Sequence, residues 1–314
     1  MFVQAVFRKS LLKSLAGLFF ASVAAASSSP LANFDGASWT DGPIIIEVDT
    51  SGTAALQPGE GSILFSALVS AAADWNSALG IRLLRLVPSS APGADADREL
   101  GDSINGIYFS RQISPSQRFG SQFGFAASHR APNGRFGEAD LIFNPAHHWY
   151  VYDGPLKYDT DGDRVADLRR VALHEFGHLL GISHPNDDAF PTIMRSRMSD
   201  LFSLTPRDCK DARLAAKLLA DRNRPTVDRY KIKACGNGTF RIVLLKGSSN
   251  KLFTKALWVE TRGSSGREKT RIRPSRHWRK TLRIGPDVTR LTVVHQPTAF
   301  RKKHLILFRK RIRQ

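Results

Sequence analysis

The chain has only two cysteines in 314 residues, Cys209 and Cys235. Two are too few for a cysteine-rich, disulfide-stapled scaffold. Neither lies near the N-terminus, which excludes a lipid-modified cysteine anchor there. Long apolar runs are also lacking. The longest, Ser14 to Ala26 (SLAGLFFASVAAA), falls short of the ~20 residues of an ordinary membrane span. No internal repeat is present, and no Gly-Asp nonapeptide array, which excludes a calcium-loaded β-roll. Acidic residues number 28 against 46 Lys and Arg, and the shortage is local. From Arg222 to Gln314 there are 26 Lys and Arg against 4 Asp and Glu, a net of +22, whereas residues 1–221 carry a net of −4. A domain boundary near residue 221 follows from that shift.

What is present fits a globular protein: 42% hydrophobic and 24% charged residues, with ample length for a core. Arg8, Lys9 and Lys13 precede the short apolar run, and Ala24-Ala25-Ala26 offers small residues for cleavage. Residues 1–26 therefore read as a signal peptide, with a secreted or periplasmic mature chain expected; an uncleaved anchor is the alternative. Residues 27–42 read as a linker. In an exported chain an even cysteine pair is readily a disulfide, and Cys209–Cys235 would close a loop worth ~3 kcal/mol. The alternative is two free thiols.

Pro43 to Val48 reads as a buried strand, and Ser62 to Leu79 as an amphipathic helix stopped by Gly80. Ile81–Val87, Ile104–Phe109, Phe123–Ser128 and Ala139–Phe143 are further strand candidates. Leu168–Leu180 is expected to be a helix capped by Asp167, and Pro206–Leu219 a last helix with proline in its first turn. Beyond residue 222 short strands are expected at Phe240–Leu245, Leu252–Val259, Lys269–Ile272, Lys280–Ile284, Arg290–His295 and Lys303–Phe308. The expected architecture is α+β, residues 43–221, followed by a small all-β unit, residues 222–314.

The chemistry concentrates in His174-Glu175-Phe176-Gly177-His178-Leu179-Leu180-Gly181-Ile182-Ser183-His184. His174 and His178, four residues apart on a helix, share one face and can reach one metal. Glu175 lies near that face, placed to take a proton from a metal-activated water. Gly181 tolerates the positive φ that ends the helix and turns the chain back. His184 then arrives as a third ligand, leaving a fourth position open, as catalytic zinc requires.

This run resembles the signature of the metzincin zinc endopeptidases, and Thr192-Ile193-Met194 resembles their methionine turn. The short gap from His184 to Met194, with Gly137–Asn144, Trp149 and Leu168–Leu173, is most similar to the matrixins over residues ~40–220. The resemblance implies a twisted mixed sheet of about five strands with three main helices, a catalytic Zn2+, a protein or peptide substrate, and Met194 as a hydrophobic floor. It also implies an edge strand that binds substrate in extended form, for which Phe123–Ala126 is the candidate. The match is incomplete. No cysteine precedes His174 to act as a latency switch, and His129, His147 and His148 are poorly patterned for a second, structural zinc. Pro185 follows the third histidine, as in the serralysins, yet no tyrosine follows Met194 two places on.

Two further features stand apart. Asp159, Asp161 and Asp163 around Gly162, followed by Asp167, resemble half of a calcium loop, but position twelve is Arg170; a Ca2+ site and a solvated acidic turn remain equal readings. In the basic region, Arg271, Arg273, Arg276, Arg279 and Lys280 surround Trp278, a pattern suited to an anionic surface or polysaccharide; export disfavours nucleic acid. The expected protein is thus a monomeric, exported zinc endopeptidase using Glu175. A catalytically degenerate metzincin and an envelope-binding protein are the rivals. Phe190 to Arg197 would form the pocket wall, where Arg195 and Arg197 would favour an acidic side chain.

Overall fold

Ile44, Ile46 and Val48 are buried while Ile45 is exposed, and this period of two makes β1 (Ile44–Val48) the inner strand of a sheet. The computed structural model describes residues 39, 43–49, 61–89, 102–110, 112–114, 117–130, 136–185, 190–235, 239–298 and 304–312. The expected signal peptide lies outside these residues. Within the expected linker, Trp39 is described: it is buried, and its indole N–H donates to the Leu179 carbonyl at 3.0 Å.

The elements follow as α1 (Gly61–Leu79), β2 (Leu84–Pro88), β3 (Asn105–Phe109), β4 (Gln112–Ser114), β5 (Gln117–Arg118), β6 (Gly124–Arg130), β7 (Phe136–Phe143), β8 (Trp149–Tyr150), β9 (Ala166–Asp167), α2 (Leu168–Leu179) and α3 (Pro206–Arg222). The main sheet has the order β2-β1-β3-β7-β6. Four strands are parallel, and β6 joins antiparallel to β7 at the edge. The expected substrate strand is therefore an edge strand.

The three helices share one core with this sheet. Trp75 of α1 is fully buried, and its indole N–H donates to Leu173 O of α2 at 2.8 Å. Fully burying such side chains is worth ~1.5–3 kcal/mol each, so helix packing rather than helix propensity holds α2 in place. Among the described residues no helix is long and apolar enough to cross a membrane.

After α3 the chain is all β: β10 (Thr226–Cys235), β11 (Phe240–Ser248), β12 (Thr254–Gly263), β13 (Gly266–Ile272), β14 (Trp278–Ile284), β15 (Arg290–Pro297) and β16 (Leu305–Arg311). They form two antiparallel sheets, β10-β11-β14 and β13-β12-β15-β16. Val243, Leu245 and Leu282 of the first share a core with Leu257, Val259 and Val293 of the second. Sequence pattern misses β10, whose residues are mostly exposed and charged; its apolar contributions are only Val227 and Ile232. Phe253, between β11 and β12, is buried not in this core but in the one built by the three helices.

The expected disulfide is absent. Cys209 and Cys235 are both free thiols. Cys209 lies in the first turn of α3 and Cys235 at the far end of β10. The two thiols thus sit on separate elements, and neither is bonded to the other. Thiol titration of the unfolded, unreduced protein should accordingly return two reactive thiols per chain. A result of none would restore the bridge.

Candidate active site

The start of α2 is fixed by a buried ion pair. Asp167 is the N-cap, accepting from Arg169 N at 3.2 Å, and its other oxygen lies 3.4 Å from Arg170 Nε. Burial raises the Asp167 carboxyl pKa, and the Arg170 charge opposes that rise. Arg170 is only 2% exposed and donates to Gly154 O at 2.6 Å and Ser199 O at 3.3 Å. One arginine thus ties two loops to the helix.

The end of α2 is equally defined. Gly181 has φ +83°, Ile182 N donates to Gly177 O at 2.9 Å, and Gly181 N donates to His178 O at 2.8 Å. These are the paired bonds of a Schellman motif, and they turn the chain so that His184 returns over the helix.

The Nε2 atoms of His174, His178 and His184 lie 3.1, 3.1 and 3.2 Å from one another. They cannot all be hydrogen-bonded together. His174 Nδ1–H donates to Ile193 O at 2.8 Å and His178 Nδ1–H to Ile182 O at 2.9 Å, so in the neutral rings both Nε2 atoms carry bare lone pairs. Tetrahedral ligands ~2.0–2.1 Å from one ion would be ~3.3 Å apart. The residues present therefore fit a zinc ion. Burial holds His174 down to about 4; burial, then the neighbouring imidazoles, hold His178 down to about 3; burial also lowers His184. All three are neutral near pH 7, as ligation requires.

Glu175 is 6% exposed, and burial pushes its carboxyl up to about 8, against a backbone N–H donated by Ala126 of β6. The same strand packs tightly on α2 at Gly124, where a Cβ would lie 3.0 Å from Val171 Cγ1 and 3.5 Å from Glu175 Cγ. The edge strand and the carboxylate are thus in direct register.

Met194 is buried beneath the triad helix, and a Cβ at Gly177 would overlap its Sδ. Glycine between the two helical histidines is what lets this floor approach. The turn itself hangs on Asp208, a residue that sequence reading passed over. Its buried carboxylate accepts from Thr192 Oγ1, from Ile193 N at 3.1 Å and from Thr205 N at 2.8 Å. Thr205 Oγ1 accepts from Asp208 N at 3.3 Å, completing a capping box at α3. The spacing Thr205-Pro206-Arg207-Asp208 was the available signal.

The four carboxylates of the expected calcium site do not converge. Asp159 Oδ1 accepts from Asp161 N at 3.0 Å and Asp163 N at 2.9 Å, closing a turn with Gly162 at φ +83°. Asp167 is committed to the helix cap. Among the described residues, the histidine triad is the group of three or more His, Cys, Asp or Glu whose ligand atoms lie within 4.8 Å of one another. His129, His147 and His148 join no such group.

Residues 98–213 match the matrixin peptidase family. The match supports a matrixin-like domain over this segment. The match implies a metallopeptidase with a catalytic zinc and a peptide substrate. It spans the triad, Glu175, Met194 and Asp208 but leaves out β1, α1 and β2, which the structure adds to the same sheet and core. No curated protein matches the chain. A solved structure, wild-type OgpA from Akkermansia muciniphila, is similar at 11% identity over 90% of this chain and 96% of its own, with a TM-score of 0.24.

The depressed histidine pKa values predict that zinc, once loaded on the triad, is retained well below the ordinary histidine value of ~6.5. Metal content after dialysis at stepped pH measures this, and half-loss at pH 6.5 would contradict it. Asp208→Asn sets an amide N–H2 against the donors its carboxylate now accepts. It should cost ~2–4 kcal/mol in urea unfolding and weaken metal binding, and unchanged values for both would refute the role.

Proposed function

We propose that the protein is an exported zinc-dependent endopeptidase with Glu175 as its general base. The observation that carries this reading is the convergence of three imidazole Nε2 atoms beside a buried carboxylate at the open edge of β6. Zinc held by His174, His178 and His184 would supply Lewis acidity, bringing a water pKa towards ~7, polarising the scissile carbonyl and favouring the Glu175 carboxylate.

The chain's own residues do the rest. The exposed edge of β6 pairs with an extended peptide through backbone hydrogen bonds, which aligns the scissile bond without reading its side chains. Glu175 takes the proton of the attacking water and hands it to the departing amine nitrogen, so one group serves as base and then acid. The Nδ1–H bonds to Ile193 and Ile182 keep two imidazoles in the tautomer and orientation the metal needs. Met194 excludes water from below. Side-chain preference rests with the stretch Phe190 to Arg197, where Arg195 and Arg197 favour an acidic residue in the cleaved peptide.

Glu175→Gln preserves the shape of the site but removes the base. The variant should bind metal normally and lose ~10²–10⁴-fold in peptide hydrolysis. Full activity in this variant would remove Glu175 from the mechanism. If the metal-loaded wild-type chain cleaves no member of a peptide library, it is a degenerate metzincin instead.

A further inference from the structure

The outer face of the sheet β10-β11-β14 carries an unbalanced charge. Three rows of register partners cross it: Arg229–Lys246–Arg279, Lys231–Leu244–Thr281 and Lys233–Ile242–Arg283. Six of these nine positions are cationic, and none is acidic or aromatic. All six cations are exposed. Lys246 sits directly between two arginines, an arrangement that destabilises a sheet. The second sheet also has a cationic row, Arg267–Arg262–Arg290–Arg311, but there Glu260 of β12 pairs with Arg267 and with Lys269 at 3.3 Å. Among the described residues no carboxylate does this for Arg229, Lys246 or Arg279. Unrelieved repulsion in an otherwise well-formed sheet marks a surface selected for something other than stability.

The all-cation row opens onto a depression of about 260 Å³ lined by Arg229, Lys246, Gly247, His277, Trp278 and Arg279. Asp228 also reaches it, with one oxygen already accepting from Thr226 Oγ1 at 2.6 Å. Trp278 is 2% exposed, and its indole N–H, a buried donor, has no partner. The ring edge that bears this nitrogen lies against Gly247, itself part of the lining; a Cβ at Gly247 would overlap Trp278 Cε2 and Cζ2. A buried donor without an acceptor is costly, and an anionic oxygen in the depression would satisfy it once a small movement of the ring edge uncovered it.

We propose that this face binds an acidic polysaccharide, with one sulfated or carboxylated sugar seated in the depression against Trp278 and the chain running across the cations. The grid favours that ligand. Cations recur every ~7 Å along β10 and every ~4.8 Å across the first row, which suits a flexible chain bearing charges along its length. Single-stranded nucleic acid is held by bases stacking on open aromatic rings, and Phe240, in the next row of this face, is already covered by the Arg283 guanidinium at 3.8 Å from its ring centroid. Insertion into a bilayer needs projecting apolar side chains, and among these nine positions only Leu244 is an exposed one, at 38%. The depression is near the lower limit of ligand pockets, ~300 Å³, the scale of a single sugar ring rather than a rigid rod.

The test uses the full chain with dextran sulfate, uncharged dextran, duplex DNA and phosphatidylglycerol vesicles as probes. The triple variant Arg229→Gln, Lys246→Gln, Arg279→Gln should bind dextran sulfate at least ~10-fold more weakly. Its slope of log affinity against log salt should fall by ~2–3. A control triple on the second sheet, Arg262→Gln, Arg309→Gln, Arg311→Gln, removes the same charge and should lose much less. Trp278→Phe should weaken dextran sulfate binding without altering the salt slope. Peptide hydrolysis should be unchanged in both triples, so the outcome is independent of the peptidase reading. The face triple should melt at the same temperature or higher, because repulsion is removed; a lower melting point would show that the row is structural and overturn the proposal. Equal losses in both triples, or no binding of dextran sulfate at low salt, would also overturn it. Stronger face-dependent binding of DNA or vesicles would assign the face to nucleic acid or membrane instead.

Discussion

Three imidazole lone pairs aimed at one point repel one another unless a cation lies between them. The helical half of this chain is arranged to impose that unfavourable convergence and keep it. Two of the rings are locked by carbonyls that belong to the turns at either end of the site: Ile182 in the helix stop and Ile193 in the methionine turn. Each carbonyl is in turn fixed by backbone geometry. Ile182 is placed by the Schellman bonds to Gly177, and Ile193 by Asp208. The metal site is therefore the last link of two short hydrogen-bonded relays, one running back into α2 and the other into α3. Secondary contacts of this kind set ligand orientation and basicity, and in metal proteins they matter nearly as much as the ligands.

The site and its neighbours were legible in the sequence to different degrees, for identifiable reasons. Helical spacing, a glycine stop and a capping aspartate are local features. His174, Glu175, His178, Gly181, His184 and Asp167 consequently sit where pattern places them. Met194 followed from spacing and resemblance. Asp208 did not, because its partners Thr192, Ile193 and Thr205 become neighbours only when the turn folds onto α3. The Ala126 contact to Glu175 was invisible for the same reason: strand position at the sheet edge is a product of topology, not of composition.

Where local pattern misled, a tertiary constraint explains it. Two cysteines in an expected exported chain suggested a bridge, but the fold places them on separate elements, the first turn of α3 and the far end of β10, as free thiols. Alternating aspartates around a glycine suggested a calcium loop, but Asp159 spends its oxygen on the turn and Asp167 on the helix. In the basic half most strands were legible from turn residues and alternation. The exception, β10, has so few apolar side chains that charge hides its period. That same strand supplies half of the cations on the outer face of its sheet.

Phe253 gives the two halves a shared fate. Its ring belongs to a loop of the β-rich half yet lies at 3% exposure among the core side chains of the helical half, with Leu252 packed beside it. A ribosome releases the helical half first, and until residue 253 has emerged that core has an apolar socket open to water. Completion of the helical half thus waits on the arrival of the basic half. Proteolytic removal of the tail would leave that core with exposed hydrophobic surface instead of a closed, free-standing unit.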